Sequence, residues 1–232
     1  MKKNLNTLLL LLIASILIMA CSLGAGAQEA PVVAEPVDAV EEPAAEEPTA
    51  VPEPTAVPDM NLSSVVLTAA DFPDVAFADV SLEEMGMSVD DLNSEDFTIE
   101  SFFALLESTN FEMVMGFTSE VGGPLERAGF DLVLNQPNIL LDSFIGGMGD
   151  VGASEYEELP EFEDTIGDSS AGMTVVADVE GLGMRVDMSI FRNGPIGAFV
   201  ITMYLDGQQP PASLMEVTTK FNEKIEAFLA SQ

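Results

Sequence analysis

The chain has 232 residues, 47% of them apolar, with 40 acidic against 7 basic side chains, one cysteine and no histidine. An acidic surface of this kind repels nucleic-acid phosphates and anionic headgroups, whose binding relies on clustered Lys and Arg. The missing histidines and the lone cysteine exclude Ser-His-Asp and Cys-His nucleophiles, His/Cys zinc sets and internal disulfides.

In chain order, residues 1–20 read as a secretory leader. Lys2 and Lys3 open it, and Leu8 to Ala20 is a 13-residue apolar run broken only by Ser15. A helix needs about 20 apolar residues to cross a bilayer, so this run suits the apolar segment of a signal instead. Ile18-Met19-Ala20-Cys21 resembles the lipobox of bacterial lipoproteins, with an aliphatic residue three places before the cysteine and a small one directly before it. Met19 departs from the small or Ser/Thr/Val-like residue usual between them. The resemblance implies lipidation at Cys21: its thiol takes a diacylglyceryl group, the leader is cut before it, and the new amine is acylated. One chain holds a protein only marginally, at about 0.8 kcal/mol per buried methylene, whereas two or three hold it for good. Two other outcomes stay open, cutting after Ala25-Gly26-Ala27 to release a soluble protein and retention of the leader as an anchor.

Residues 21–59 form a linker rich in Pro, Glu, Ala and Thr. Seven of the 14 prolines lie between Ser22 and Pro58, no Lys or Arg does, and Glu-Pro-Thr-Ala-Val-Pro occurs twice in tandem from Glu47 to Pro58. Proline blocks helix and sheet pairing and like charges repel, so this segment is expected to be disordered with polyproline-II character. At about 3.1 Å per residue, it reaches on the order of 100 Å. It reads as a spacer between a membrane and an acidic domain.

Residues 60–232 are expected to form one α+β domain. Ser64 to Thr68 suggests a short strand, and Ser81 to Asp91 one or two helical turns. Phe102 to Glu107 is ambiguous between strand and helix, while Phe111, Met113, Met115 and Phe117 alternate as in a strand. Phe130 to Leu134 is read as a further strand and Asn138 to Ile145 as a helix. Met173 to Val179 begins an antiparallel meander, with a turn at Glu180 to Gly183 and a two-residue turn at Asn193-Gly194. Its middle strand puts Met184, Val186, Met188 and Ile190 on one face and Arg185, Asp187 and Ser189 on the other; the last strand aligns Phe199, Ile201, Met203 and Leu205. After Pro210-Pro211, Ser213 and Glu216 make a capping box. Leu214, Val217, Phe221, Ile225 and Phe228 then form a helical stripe that covers one face of the sheet.

Gly167-Asp168-Ser169-Ser170 and Phe191-Arg192-Asn193-Gly194, followed by a strand ending Tyr204-Leu205-Asp206-Gly207 and an amphipathic helix, resemble PsbP-like α+β domains of bacterial lipoproteins. The likeness spans Leu159 to Leu229. It implies a fold and an envelope setting but no reaction, since one fold hosts unlike tasks.

Chemistry can reside only in carboxylates, hydroxyls, the two tyrosines and the few basic residues. The densest acidic run is Glu155 to Asp164, with Asp168 beyond it. Loosely spaced carboxylates suit calcium, which takes six to eight oxygen ligands, and Glu158, Glu161, Asp164 and Asp168 are the candidate ligands. The run lacks the residue ladder of an EF-hand loop, and a solvated loop is the simpler reading. Gly146-Gly147-Met148-Gly149 has no Gly-Lys-Ser/Thr after it and is read as a loop. Arg185 and Arg192 are expected to pair with nearby carboxylates. These readings converge on an extracytoplasmic lipoprotein of a bacterial cell envelope, engaging an envelope protein or a small ligand, with no cofactor beyond its covalent lipid. A carboxylate-based hydrolase or a calcium-dependent module on the same anchor is the alternative.

Overall fold

The computed structural model describes residues 60–85, 88, 93, 98–136, 152–153, 156–179 and 181–232. Cys21, the leader and linker, the helix expected over Asn138 to Ile145, the Gly146 to Gly149 run and Glu155 lie outside them. The described residues form an α+β fold around one antiparallel sheet. Its strands are β1 (Ala78–Asp79), β2 (Ser101–Glu107), β3 (Glu112–Glu120), β4 (Gly152–Ala153), β5 (Glu157–Glu158), β6 (Ser169–Val179), β7 (Leu182–Asn193) and β8 (Ile196–Leu205). The order across the sheet is β1-β2-β3-β8-β7-β6-β4, with β5 also on β6. Helix α1 spans Pro124–Asn135 and helix α2 spans Leu214–Leu229.

The meander stands as its alternation predicts, with one shift at a turn. Asn193 pairs with Ile196, so the two residues of the β7–β8 turn are Gly194 and Pro195. Gly194 takes φ 58° at the first of these places, where a two-residue hairpin loop calls for glycine and the proline ring suits the second. Asn193 is left on the strand, and its amide donates to Asn222 of α2 at 2.9 Å. Leu182 and Gly183, expected in the preceding turn, already belong to β7.

Helix α2 starts at Ser213, whose hydroxyl accepts from the Glu216 N–H, and it buries Leu214, Val217, Phe221 and Ile225. Phe221 fits edge-on between Phe103 and Phe191, with ring centroids 4.9 and 6.2 Å away. The helix therefore lies on the sheet face that the β7 sequence marks as polar. Ser189 meets Thr218 at 2.7 Å, and Leu105, Val114, Ala198 and Val200 complete this layer. The opposite face is a second core of Met113, Met115, Met173, Val175, Val186, Ile201 and Met203, with Phe117 stacked on Phe199 at 4.7 Å. Val80, Leu82, Met85 and Ile99 pack onto it. Burial on both faces explains why Phe102 to Glu107 shows no alternation: it is strand β2, with five of its seven residues buried.

Two expected strands are absent. Phe130 to Leu134 is the second half of α1, which Pro124 opens and whose first turn is tied by the Gly123 N–H donating to Glu126 at 2.6 Å. A five-residue segment with four apolar positions cannot separate the two periods, whereas proline at the first helical place can. Phe130 rests on Gly197, where a Cβ would come within 2.6 Å of its ring. In the expected strand Ser64 to Thr68, Ser64 ends one 3₁₀ turn, Leu62–Ser64, and the rest is irregular chain leading to a second, Ala69–Asp71. Asn61 caps the first and the Thr68 N–H donates to Asp71 at the second, and such side-chain bonds compete with a ladder. The described part of the Ser81 to Asp91 segment does make a turn, with Ser81 and Glu84 capping each other.

Candidate functional site

The acidic run is the first candidate, and the structure spreads it out. Glu158 sits on β5 opposite Met173, Glu161 lies in a 3₁₀ turn, and Asp164 occupies a left-handed conformation at φ 49°. All three are exposed. Among the described residues, no three Asp or Glu side chains gather closely enough to hold a metal ion. Asp168 has a different use. Its N–H donates to the Arg192 carbonyl at 2.7 Å, and its carboxylate accepts from the Arg192 guanidinium and the Gly194 N–H, both at 2.9 Å.

The two short motifs of the C-terminal region thus grip each other. Arg192 forks onto Asp131 of α1 at 2.8 and 3.3 Å, a geometry suited to the planar guanidinium, and Asp131 raises the pKa of Arg192 further. Ser170 accepts from the Thr165 and Ile166 N–H groups and donates to the Phe162 carbonyl. Gly167 takes φ 63°, and a Cβ there would stand 2.3 Å from the Arg192 carbonyl oxygen. The motifs form a clasp that binds the β5–β6 loop, the β7–β8 turn and α1 together.

Arg185 bonds Asp206 at 3.1 Å, Arg127 donates to the Val121 carbonyl, Lys224 meets Asp71 at 2.9 Å, and Lys220 lies over the Phe72 ring. With Arg192 these are all the basic residues after the leader, and each is engaged within the fold. A groove of about 320 Å³ beside β1 and β2 is lined by Val80, Leu82, Ile99 and Phe102, with Glu100 the one ionisable group among the described residues that line it.

The most perturbed carboxyl lies elsewhere. Glu107 and Glu112 are paired across the β2–β3 hairpin, an arrangement that like charges disfavour. The two environments separate them. Glu107 accepts from the Asn110 and Thr109 N–H groups at 2.6 and 2.9 Å, and these bonds hold its pKa below the usual value. Glu112 is fully buried where the hairpin meets the start of α2. One oxygen accepts from the Ala212 N–H at 3.4 Å and the other has no partner among the described residues. Burial, helped by the nearby Glu107 and Glu216 charges, raises its pKa to about 7. Phe111 beside it is half exposed and held at φ 56°, a conformation rare for a bulky side chain. Behind this row, Tyr204 donates to Asp187 at 2.6 Å, and burial and that bond raise its pKa.

Sequence reading missed Glu112. Its phase, shared with Val114 and Thr118 and opposite to Met113 and Met115, was visible; which phase α2 covers was not. Chemically, this end of the sheet can hold or release one proton at a sealed carboxyl. Comparison with known proteins finds no matching family model and no matching curated protein.

Proposed function

We propose that the chain is a lipid-anchored, extracytoplasmic protein of a bacterial cell envelope whose α+β domain binds another envelope component. The reading rests on Cys21, which stands where a 13-residue apolar run ends and a proline-rich, acidic tether to Met60 begins. A thioether needs a thiol, and this chain has one to offer. The outer side of α1 supports a binding role for the domain. Leu125 (88% exposed), Ala128, Gly129 and Leu132 (53% exposed) fall at i, i+3, i+4 and i+7, an apolar stripe facing outward. Neighbouring exposed apolar residues mark contact surfaces more often than scattered ones do. The chain's net negative charge favours a cationic partner.

Labelled fatty acid fed to cells is expected to enter the wild-type chain and not Cys21→Ala, which should leave the membrane fraction. Label in Cys21→Ala, or unchanged membrane retention, would overturn the anchor. A photo-cross-linker at Leu125 in intact cells should capture a defined protein, and Leu132→Ser should weaken that capture without lowering stability.

A further inference from the structure

The junction of the β2–β3 hairpin with helix α2 is sealed by a carboxyl group that no cation among the described residues answers. Glu112 is fully buried, and titratable groups stand near it on three elements. On β2, Glu107 is its direct partner. On α2, the exposed Glu216 contributes a second negative charge. On β8, Tyr204 shares its face one residue beyond the Met113–Met203 pair, with its hydroxyl committed to Asp187. Arg185, paired with Tyr204 across β7 and β8, is held by Asp206 and Thr174. The single bond that reaches Glu112 from the helix side is the long one from the Ala212 N–H, one residue before the helix cap.

We propose that Glu112 is a proton-operated latch between the β2–β3 hairpin and the first turn of α2. Protonated, the carboxyl stays under the Ala212 to Leu214 segment and the junction is closed. Ionised, it stands between two like charges with an unsatisfied oxygen, and it can be solvated only if that segment lifts and admits water. The closed form already holds Phe111 in an unfavourable left-handed conformation, so opening also frees the hairpin turn to relax. A midpoint near neutrality places this transition within an ordinary environmental pH range. The proposal is independent of the lipid anchor.

The test is amide hydrogen exchange between pH 5.5 and pH 8.5, corrected for intrinsic rates, on the wild type and on Glu112→Gln, whose neutral side chain imitates the protonated form. Protection at residues 107–113 and 210–217 of the wild type should fall more than tenfold with rising pH, while the clasp around Arg192 keeps its protection. Glu112→Gln should stay protected throughout. Uniform protection in the wild type, or an equal loss in Glu112→Gln, would overturn the latch. Carbon NMR titration of the Glu112 carboxyl gives a second reading that needs no core variant. A midpoint near 7 that moves down in Glu216→Gln is expected, and a midpoint of 4 to 5 would sink the idea.

Discussion

At the residue scale, the fold is most sensitive where a group has been desolvated or a backbone crowded. The Glu112 carboxyl is the first case. Its folded pKa of about 7 lies above the ordinary value of 4.5, so the stability tied to its neutral form is complete below about pH 4.5 and is lost as pH rises through 7. Between pH 5.5 and 8.5 the wild type should therefore lose about 2 kcal/mol, from 1.36 kcal/mol per pH unit below the folded pKa. Urea unfolding at the two pH values measures this, and Glu112→Gln should flatten the difference. Asp71 works in the other direction: burial opposes its charge, but bonds from Lys224 and Thr68 outweigh burial and lower its pKa, so its contribution is lost on acidification. Gly167 is the second case. With φ 63° and a carbonyl 2.3 Å from the place of a Cβ, Gly167→Ala should cost at least about 2 kcal/mol, through backbone strain and opening of the clasp. A fall in thermal midpoint with Arg192 losing its ordered contacts would be the signature. The glycine and its motif were legible in the sequence; their structural use was not, because the partner carbonyl lies 25 residues away.

At the element scale, α2 and the meander were readable and α1 was not. The α2 stripe repeats over sixteen residues behind a serine cap, long enough for its period to be unmistakable. Phe221 at its centre is fully buried between two rings, so Phe221→Ala should cost about 3–5 kcal/mol, measured by chemical denaturation. In α1, by contrast, Phe130, Val133 and Leu134 sit beside the outward Leu125 and Leu132. Apolar residues on both sides blur the helical period, and the Gly123-Pro124 start with Glu126 was the better signal. The β7 strand left a different question open. Its alternation separates Arg185, Asp187 and Ser189 from the apolar phase without saying which face α2 covers; Ser189 finds Thr218 on α2 and Asp187 finds Tyr204. Hydrogen bonds supplied from elsewhere let a polar phase lie beneath a helix.

At the scale of the whole molecule, charge and burial pull against each other. Residues 60–232 carry 31 acidic and 5 basic side chains, a net of −26 that strains the compact state by self-repulsion. The five basic residues of the domain are each engaged in a local contact and offer little relief beyond their neighbourhoods. Raising sodium chloride from about 0.02 to 0.5 M shortens the screening length several-fold, and the thermal midpoint should rise with it. A midpoint insensitive to salt would mean that the carboxylates are already screened by their spacing. Composition alone excluded histidine chemistry, internal disulfides and a basic nucleic-acid surface. Local pattern alone settled the β6–β8 meander and the closing helix, because each is dictated by residues within a few places of one another. Tertiary structure decided which face α2 covers, that the opposite face is a methionine-rich core, that two short motifs are a clasp, and that Glu112 is shut away from water. Those facts depend on desolvation and contact between distant segments, as between Glu112 and Ala212, 100 positions apart, and no local window of sequence contains them.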